Sequence, residues 1–263
     1  MEKFTLFNFP KSRRATFDVG KIGSKKHHIV GLLEVDITNA KRRIKDSKNS
    51  GNKISFTSWF VKAVATSVHE SNYSHAIRYK KDKLISFEEV DISIPVEREI
   101  NGVKVPIATI IRNASQKTIE EIHTDIQKSV KAKIENENDY VLTERKDKSS
   151  TGLFFLLPQW MRLIVWKRIL KNPFSIKKNM GTVIVTNVGM FGSFAGWIIP
   201  KSIHNLCIGI GSIIDKPWVV NDQIEIRKIL HLTVLFDHDA IDGAPATRFT
   251  QCLVKNLENA IGI

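Results

Sequence analysis

The chain alternates between segments whose apolar residues have strand-like spacing and segments with helix-like spacing. Residues 27–38, HHIVGLLEVDIT, form a β-branched run that predicts a strand. Thr57–Glu70 predicts a helix, because its apolar residues recur at spacings of three and four. These residues are Phe60, Val61, Val64 and Val68. The polar stretch 41–53 separates the two elements.

The middle of the chain predicts two more strands and a second helix. Residues 83–96 and 103–111 have strand-like composition, and the Asn-Gly pair between them is typical of a tight hairpin. Thr118 and Glu121 have the spacing of a capping box. We therefore expect a helix there, with an apolar face that packs on a sheet and consists of Ile119, Ile122, Ile126 and Val130.

From residue 181 onward the pattern is dense in strand. Three runs predict strands: TVIVTNVG, NLCIGIGSII and IEIRKILHLTVLFDH. A last helix is expected to begin near Pro245, with Phe249, Cys252, Leu253 and Leu257 on its apolar side. Long strands with a few helices, and no regular strand-helix rhythm, predict an α+β fold in which helices pack on a mixed β-sheet. No repeat or linker is visible, so we expect residues 1–263 to form a single domain.

One segment departs from this pattern, an apolar and basic insertion at about 150–178. Arg162, Lys167 and Arg168 interrupt it and Pro158 divides it, so it cannot supply the ~20 nearly uncharged residues that cross a bilayer. A helix of about three turns is expected from Gln159 onward.

Two interpretations of the segment 153–171 stay open. In the first, which we favour, protein covers this helix, either the body of the chain or a neighbouring subunit, and Trp160 and Trp166 are buried in the oligomer. In the second, it lies at a membrane surface, where its basic residues meet anionic lipid. The side chains entering the headgroup boundary would then be Trp160, Leu163, Ile164, Trp166 and Leu170.

The composition and charge of the chain limit which kinds of ligand it is expected to bind. The chain carries 40 Lys and Arg against 27 Asp and Glu, a net charge of +13, with 42% hydrophobic residues, which is ordinary for a globular protein. The excess charge suits nucleic acid, anionic lipid or a polyanionic ligand equally. No zinc finger, RNP-type strand or basic region followed by heptads is present, so we expect no nucleic-acid partner.

Cysteine usage and the N-terminus indicate the compartment. Cys207 and Cys252 lie in apolar patterns, which predicts buried thiols rather than a disulfide or a metal site. The first twenty residues contain no apolar signal core. We therefore expect a cytoplasmic protein, membrane-associated only if the segment 153–171 meets lipid.

The candidate chemistry lies in the run FDHDAIDGA, residues 236–244. His238 follows a long apolar strand, a rigid position from which an imidazole could act as a general base. Asp242, four residues later, could anchor the turn, and Gly243 allows the backbone to change direction.

This run carries a family resemblance. DHDAIDGAPATRF resembles the D-H-R-x-x-D-G-A-x-x-A-R-F signature of the catalytic domain of dihydrolipoyl acyltransferases, the core components of 2-oxoacid dehydrogenase complexes. GTVIVTNVG resembles that family's G-x-F-T-I-S-x-L-G strand, with Thr186 at its hydroxyl position, 52 residues before His238. HHIVGLLEVDIT resembles the segment P-H-F-x-x-x-x-E-V-D-V-T, with His28 at its histidine. With two further segments, the similarity covers most of residues 25–262.

The resemblance implies a chloramphenicol acetyltransferase-like fold and direct acyl transfer between coenzyme A and an acceptor. His238 would remove a proton from the attacking thiol, hydroxyl or amine, and Thr186 would stabilise the oxyanion. Asp242 would give structural support by holding the turn through an arginine that the sequence does not identify, and Asp237 is also interpreted as structural. No metal is implied.

The resemblance also implies partners. The family's active site lies between subunits, so a homotrimer or a multiple of three is expected. Basic side chains would suit the phosphates of coenzyme A or acyl-CoA, but the sequence does not identify the cofactor-binding residues.

Three departures from the family pattern are visible: Asp239 stands in place of the usual arginine, the segment 150–178 is atypical, and no lipoyl domain is visible, so no covalent lipoyl group is expected on this chain. Three functions remain open: a stand-alone acyltransferase that uses acyl-CoA, a core acyltransferase served by a lipoyl protein in trans, and a catalytically idle oligomeric scaffold. Retention of both Thr186 and His238 disfavours the third.

Overall fold

A computed structural model describes residues 2–6, 13–100, 103–131, 154, 156–189 and 194–263. The helices are α1 (Arg13–Gly23), α2 (Thr38–Asn49), α3 (Phe56–Glu70), α4 (Ile119–Lys131), α5 (Gln159–Leu170), α6 (Pro173–Met180) and α7 (Gly243–Glu258), with a 3₁₀ turn at Asn72–His75. The strands are β1 (His28–Asp36), β2 (Ile77–Tyr79), β3 (Lys83–Ile85), β4 (Ile92–Ile100), β5 (Val103–Ile111), β6 (Val183–Asn187), β7 (Leu206–Val220) and β8 (Gln223–Asp237).

Six strands form one mixed sheet in the order β1-β8-β7-β6-β4-β5. The β4–β6 and β6–β7 pairs are parallel and the other pairs are antiparallel. Strands β2 and β3 form a separate two-stranded hairpin. The α+β class with helices on a mixed sheet is therefore confirmed.

The main core lies between one face of the sheet and helices α3, α4 and α7. Trp59, Phe60 and Phe249 are among its largest fully buried side chains. Burial of one such side chain stabilises a fold by roughly 1.5–3 kcal/mol. The indole N–H of Trp59 also donates to the carbonyl of Ile261 at 3.1 Å, so the C-terminus is held on this core.

Local signals predicted the core helices, although Val130, expected on the apolar face of α4, is 43% exposed. Helix α3 begins one residue before its predicted start, behind a capping box in which Ser55 and Ser58 exchange hydrogen bonds of 3.1 and 2.9 Å. The predicted box before α4 is also present: Thr118 Oγ1 accepts from the Glu121 N–H at 3.2 Å, and Glu121 Oε2 accepts from the Thr118 N–H at 2.8 Å.

Other elements differ from expectation. The predicted strand 83–96 is two strands, β3 and β4, separated by a connection whose Phe87 carbonyl lies 3.1 Å from the buried ring of His75. Most of the polar stretch 41–53 belongs to α2, in which Ala40 and Ile44 are the buried residues. One apolar pair at helical spacing gives too weak a periodicity to predict a helix. The predicted hairpin residues 101–102 lie outside the described part of the chain.

The insertion forms helices, and its two tryptophans lie in different environments within one chain. Trp166 is 3% exposed and packs with Met180, Ile203 and Leu170, whereas Trp160 is 63% exposed. The interfacial interpretation is therefore wrong for Trp166 and Leu170. Residues 150–153 and 155 lie outside the described ranges. Of the helices that the structure describes, none is long and apolar enough to cross a bilayer.

The cysteine prediction holds for one thiol. Cys207 is buried, and burial raises its pKa to about 12. Cys252 is half-buried, and its Sγ lies 3.0 Å from Glu70 Oε2. Both are free thiols, as expected.

Candidate active site

His238 is the first residue after β8, and its backbone is fixed from both sides. Its N–H donates to the carbonyl of His27 at 2.9 Å, which ties it to the start of β1. The turn that follows is closed by the Asp237 carbonyl, which accepts from the N–H groups of Ala240 and Ile241 at 3.0 Å each. The backbone that carries the imidazole is therefore held in place from both sides.

An ion pair between Asp237 and Lys26 further stabilises this turn. The Asp237 carboxylate is 8% exposed and pairs with the Lys26 ammonium. Lys26 Nζ also donates to Asn205 Oδ1 at 2.7 Å, and Asn205 Nδ2 donates to the carbonyl of Ala76 at 2.8 Å. Asp237 thus anchors the turn that carries His238, in agreement with its structural interpretation. The same contacts connect β8 to the 3₁₀ turn before β2.

The side chain of His238 is exposed and lines a surface cleft of about 350 Å³. The cleft lies between the turn after β8 and the β2–β3 hairpin. Its other lining residues include three cations, Arg78, Lys81 and Lys83, and the phenol of Tyr73. Sequence reasoning missed these hairpin residues, although the basic run RYKKDKL was a visible signal.

Asp239, which replaces the family's usual arginine, has a partner of its own. Its Oδ1 lies 3.0 Å from Nδ1 of His27, with both side chains exposed. The hydrogen bond and the carboxylate charge raise the pKa of His27, and the same hydrogen bond lowers the pKa of Asp239. The departure from the family pattern is thus matched by a histidine at the adjacent end of β1.

Asp242 is the N-cap residue of α7, and it lines the same cleft as His238. Its backbone carbonyl accepts from the Ala246 N–H at 3.1 Å, but its side chain makes no hydrogen bond to the first turn of the helix. Its expected arginine partner is not seen in the described part of the chain. Support of the turn by its carboxylate therefore stays a prediction.

Thr186 lies near the C-terminal end of β6, half-buried, and not beside His238. It pairs with Gly209 on β7, which in turn pairs with Thr233 on β8. Thr233 precedes His238 by five residues, a distance of about 16 Å along an extended strand. The two sequence-predicted catalytic residues are therefore not brought together within one chain.

A polar cluster on β7 and β8 lies next to the paired residues Thr186, Gly209 and Thr233. This cluster was not predicted from the sequence. Ser212 Oγ lies 2.7 Å from Nδ1 of His231, and both residues are buried. Nε2 of His231 faces Glu34 Oε1 at 3.5 Å, and both Glu34 oxygens accept from Lys216 Nζ, at 2.8 and 2.6 Å. The Lys216 hydrogen bond lowers the pKa of Glu34. A single histidine within an apolar strand gives no sequence pattern from which this series of polar contacts could be predicted.

This polar cluster fastens the segment 194–200 over the sheet. The Gly196 N–H donates to Ser212 Oγ at 2.9 Å, and the ring of Trp197 lies 4.3 Å from that of His231. Gly211 must be glycine here, because a Cβ would lie 2.6 Å from the Gly196 carbonyl oxygen. The segment therefore forms a wall over β7 next to the strand that carries Thr186.

Within the described residues, no group of three or more His, Cys, Asp or Glu is arranged to hold a metal ion.

The fold defined by this sheet and its helices is that of chloramphenicol acetyltransferase. A solved chloramphenicol acetyltransferase superposes with a TM-score of 0.52 at 14% identity, over 97% of this chain and 96% of that one. A dihydrolipoamide acetyltransferase from Azotobacter vinelandii superposes with a TM-score of 0.68 at 16% identity, over 98% of this chain and 92% of that one.

The family model for the 2-oxoacid dehydrogenases acyltransferase catalytic domain matches residues 24–140 and 176–263. The chain therefore belongs to this family of acyltransferases. The lipoamide acyltransferase component of the branched-chain alpha-keto acid dehydrogenase complex of Bacillus subtilis is 28% identical over 239 residues, 88% of this chain and 47% of that protein. The chain spans about half the length of the curated relatives it matches.

Proposed function

We propose that this chain transfers an acyl group between a lipoyl thioester and the thiol of coenzyme A, as a core acyltransferase served by a lipoyl domain on another polypeptide. Membership of the acyltransferase family and the lipoamide-specific relative support this function over a stand-alone enzyme that uses acyl-CoA and some other acceptor. Coenzyme A is here a substrate.

His238 is proposed as the general base. The Azotobacter vinelandii structure belongs to an investigation of a serine, a histidine and an asparagine in that enzyme's catalytic mechanism, with the serine 52 positions before the histidine and the asparagine four after it. Thr186 and Asp242 stand at the same offsets from His238. This matched spacing, together with the exposed imidazole on a backbone held from both sides, is the observation that carries the assignment.

The proposed reaction balances without a further cofactor. The His238 imidazole takes the proton of the coenzyme A thiol, and the thiolate sulfur bonds to the acyl carbonyl carbon. The Thr186 hydroxyl donates a hydrogen bond to the oxyanion of the tetrahedral intermediate. The carbon–sulfur bond to the lipoyl group then breaks, and the departing sulfur receives the proton from the imidazolium.

The separation of Thr186 and His238 supports a shared site. Because one chain holds the two groups about 16 Å or more apart, the proposed reaction needs the His238 of one copy beside the Thr186 of another. The sheet face that carries Thr186 also exposes Val30 and Leu32 of β1, at 39% and 49%. We therefore propose a homotrimer, or a multiple of three, that joins the two half-sites.

The cleft at His238 suggests how an anionic substrate is held. Arg78, Lys81 and Lys83 line it together with Asp82, Asp239 and Asp242, and cationic side chains bind phosphates by charge-assisted hydrogen bonds. We propose that the three cationic residues of the β2–β3 hairpin contact the phosphates of coenzyme A.

The test is an acyl-transfer assay with dihydrolipoamide and a panel of acetyl-, succinyl- and branched-chain acyl-CoA substrates. We expect turnover with dihydrolipoamide that falls by about 10²- to 10⁴-fold in His238→Ala. His69→Ala, a change on α3, is the matched control. The same acyl-CoA panel is also assayed with hydroxyl and amine acceptors in place of dihydrolipoamide, and transfer only to those acceptors would favour the stand-alone enzyme. Absence of turnover with every pair, in a folded oligomer, would favour the idle scaffold.

A further inference from the structure

Two segments outside the family match pack together into an accessory unit. The match begins at residue 24 and omits residues 141–175, whereas α1 ends at Gly23 and α5 spans Gln159–Leu170. Val19 and Ile22 of α1 join Trp166, Ile169 and Leu170 of α5 in one small apolar cluster. This unit therefore lies outside the family match, and its buried side packs on Met180 and Ile203 of the matched part.

The outer face of α5 combines apolar and basic side chains. Trp160 and Ile164 are 63% and 49% exposed, and Lys167 and Lys171 follow at spacings of three and four and are exposed. Successive helical residues are about 100° apart, so these four side chains lie on one face. Arg162 and Trp166 lie on the opposite, buried face.

The charge of this face has a single sign. From residue 156 to residue 180 the sequence contains six Lys or Arg and no Asp or Glu. In α1, Asp18 is the one acidic residue, and Arg162 neutralises it. Leu156, just before the helix, adds an apolar side chain that is 71% exposed.

We propose that the face formed by Trp160, Ile164, Lys167 and Lys171 binds an anionic membrane surface. Tryptophan favours the headgroup boundary, and lysines on the same face meet anionic headgroups. A helix of twelve residues lies in the plane of such a surface and does not cross it. A second copy that meets this face with its own identical face is a poor occupant, because like charges would be brought together. A different surface of a second copy, as in a cyclic trimer, is the competing occupant, and it would bury Trp160 in the oligomer without vesicles.

The residues differ from those that the sequence pattern suggested. Trp166, Leu170 and Arg162 are used to hold α5 on the body of the protein. The membrane face is the other side of the same helix, so docking would require no unfolding of the accessory unit. It would place the acyltransferase on a surface without involving His238 or Thr186.

The experiment is co-sedimentation of the full chain with vesicles of phosphatidylcholine alone or of equal parts phosphatidylcholine and phosphatidylglycerol. We expect binding to the anionic vesicles only. Trp160→Gln with Ile164→Gln, and separately Lys167→Glu with Lys171→Glu, should each weaken binding by about tenfold or more. Tryptophan fluorescence of the unsubstituted chain should shift to the blue with anionic vesicles, and this shift should be lost in Trp160→Phe.

Matched controls separate this face from the general charge of the chain. Val219→Gln with Ile224→Gln changes an exposed apolar pair at the tip of the β7–β8 hairpin. Lys128→Glu with Lys131→Glu changes an exposed basic pair on α4. Both controls should bind like the unsubstituted chain. No binding to anionic vesicles, or equal losses in the controls and the α5 variants, would overturn the proposal.

Discussion

Arg162 and Asp18 form a buried ion pair that joins α5 to α1. Arg162 Nε and Nη2 donate to the two carboxylate oxygens of Asp18 at 2.7 and 2.9 Å, and Nη1 donates to the Leu157 carbonyl at 2.8 Å. Their side chains are 6% and 0% exposed. The parallel fork of the guanidinium fits the carboxylate in a bidentate manner, so this pair sets how the two helices of the accessory unit meet.

Removing one partner of this pair should therefore be costly. We expect Arg162→Met to destabilise the accessory unit by about 3–5 kcal/mol, because the Asp18 carboxylate is left buried and uncompensated. The double variant Asp18→Leu with Arg162→Met should recover most of this loss. Urea unfolding, with hydrogen exchange of the α5 amides, measures both. Equal stability of the single and double variants would contradict the pairing.

The proposed oxyanion role of Thr186 makes a graded prediction. Thr186→Ser keeps the hydroxyl donor and should retain most of the acyl-transfer rate. Thr186→Ala and Thr186→Val remove the donor and should lower kcat by about 10²- to 10³-fold with little change in KM. Steady-state kinetics with dihydrolipoamide measures the series. A Thr186→Val variant as active as Thr186→Ser would rule out the hydroxyl as the stabilising group.

A site shared between copies predicts complementation. His238→Ala and Thr186→Ala homo-oligomers should each be nearly inactive. When the two are unfolded together and refolded as mixed oligomers, about a quarter of the interfaces should combine an intact histidine with an intact threonine. Activity should recover to a similar fraction. A mixture that stays inactive, although co-purification of two differently tagged variants shows mixed trimers, would place both groups within one chain's site.

Two buried histidines predict acid sensitivity. Burial lowers the pKa of both His75 and His204 from 6.5 to about 4. Below pH 6.5 these two histidines bind protons in the unfolded chain but stay neutral in the folded chain. The free energy of unfolding should therefore fall as the pH drops from 6.5 to 4, by about 3 kcal/mol for each histidine at the lower limit.

Urea unfolding between pH 7 and pH 4.5 tests this sensitivity. Below about pH 5.5 the carboxylates with lowered pKa, such as Asp36 and Glu89, also begin to lose their stabilising contribution, because the unfolded chain takes up those protons first. The slope between pH 6.5 and about 5.5 therefore reports the histidines.

His204→Gln should flatten the pH dependence in part, because other histidines still contribute. Burial also lowers the pKa values of His75 and of the half-buried His28 and His123. The exposed His27→Gln should leave this destabilisation in place. A profile that is flat in the unsubstituted chain would show that neither histidine is kept neutral by the fold.

The sequence by itself determined the features that depend on neighbouring residues. The capping boxes at Ser55 and Thr118 act over three positions, and the apolar stripes of α3 and α4 recur within one turn, so periodicity was enough to predict these helices. The motif around His238 is also local. It identified the candidate base and, with the Thr186 strand, the family.

Only the tertiary structure decided what depends on residues far apart in the chain. Lys26 meets Asp237 across 211 positions and Arg162 meets Asp18 across 144. The β2–β3 hairpin brings Arg78 to the cleft of His238, while the sheet register keeps Thr186 away from it. Trp160 and Trp166 look equivalent in sequence, and only the packing of α5 against α1 exposes one and buries the other. These outcomes depend on which apolar surfaces are buried against each other in the folded protein, and a local sequence pattern does not determine this.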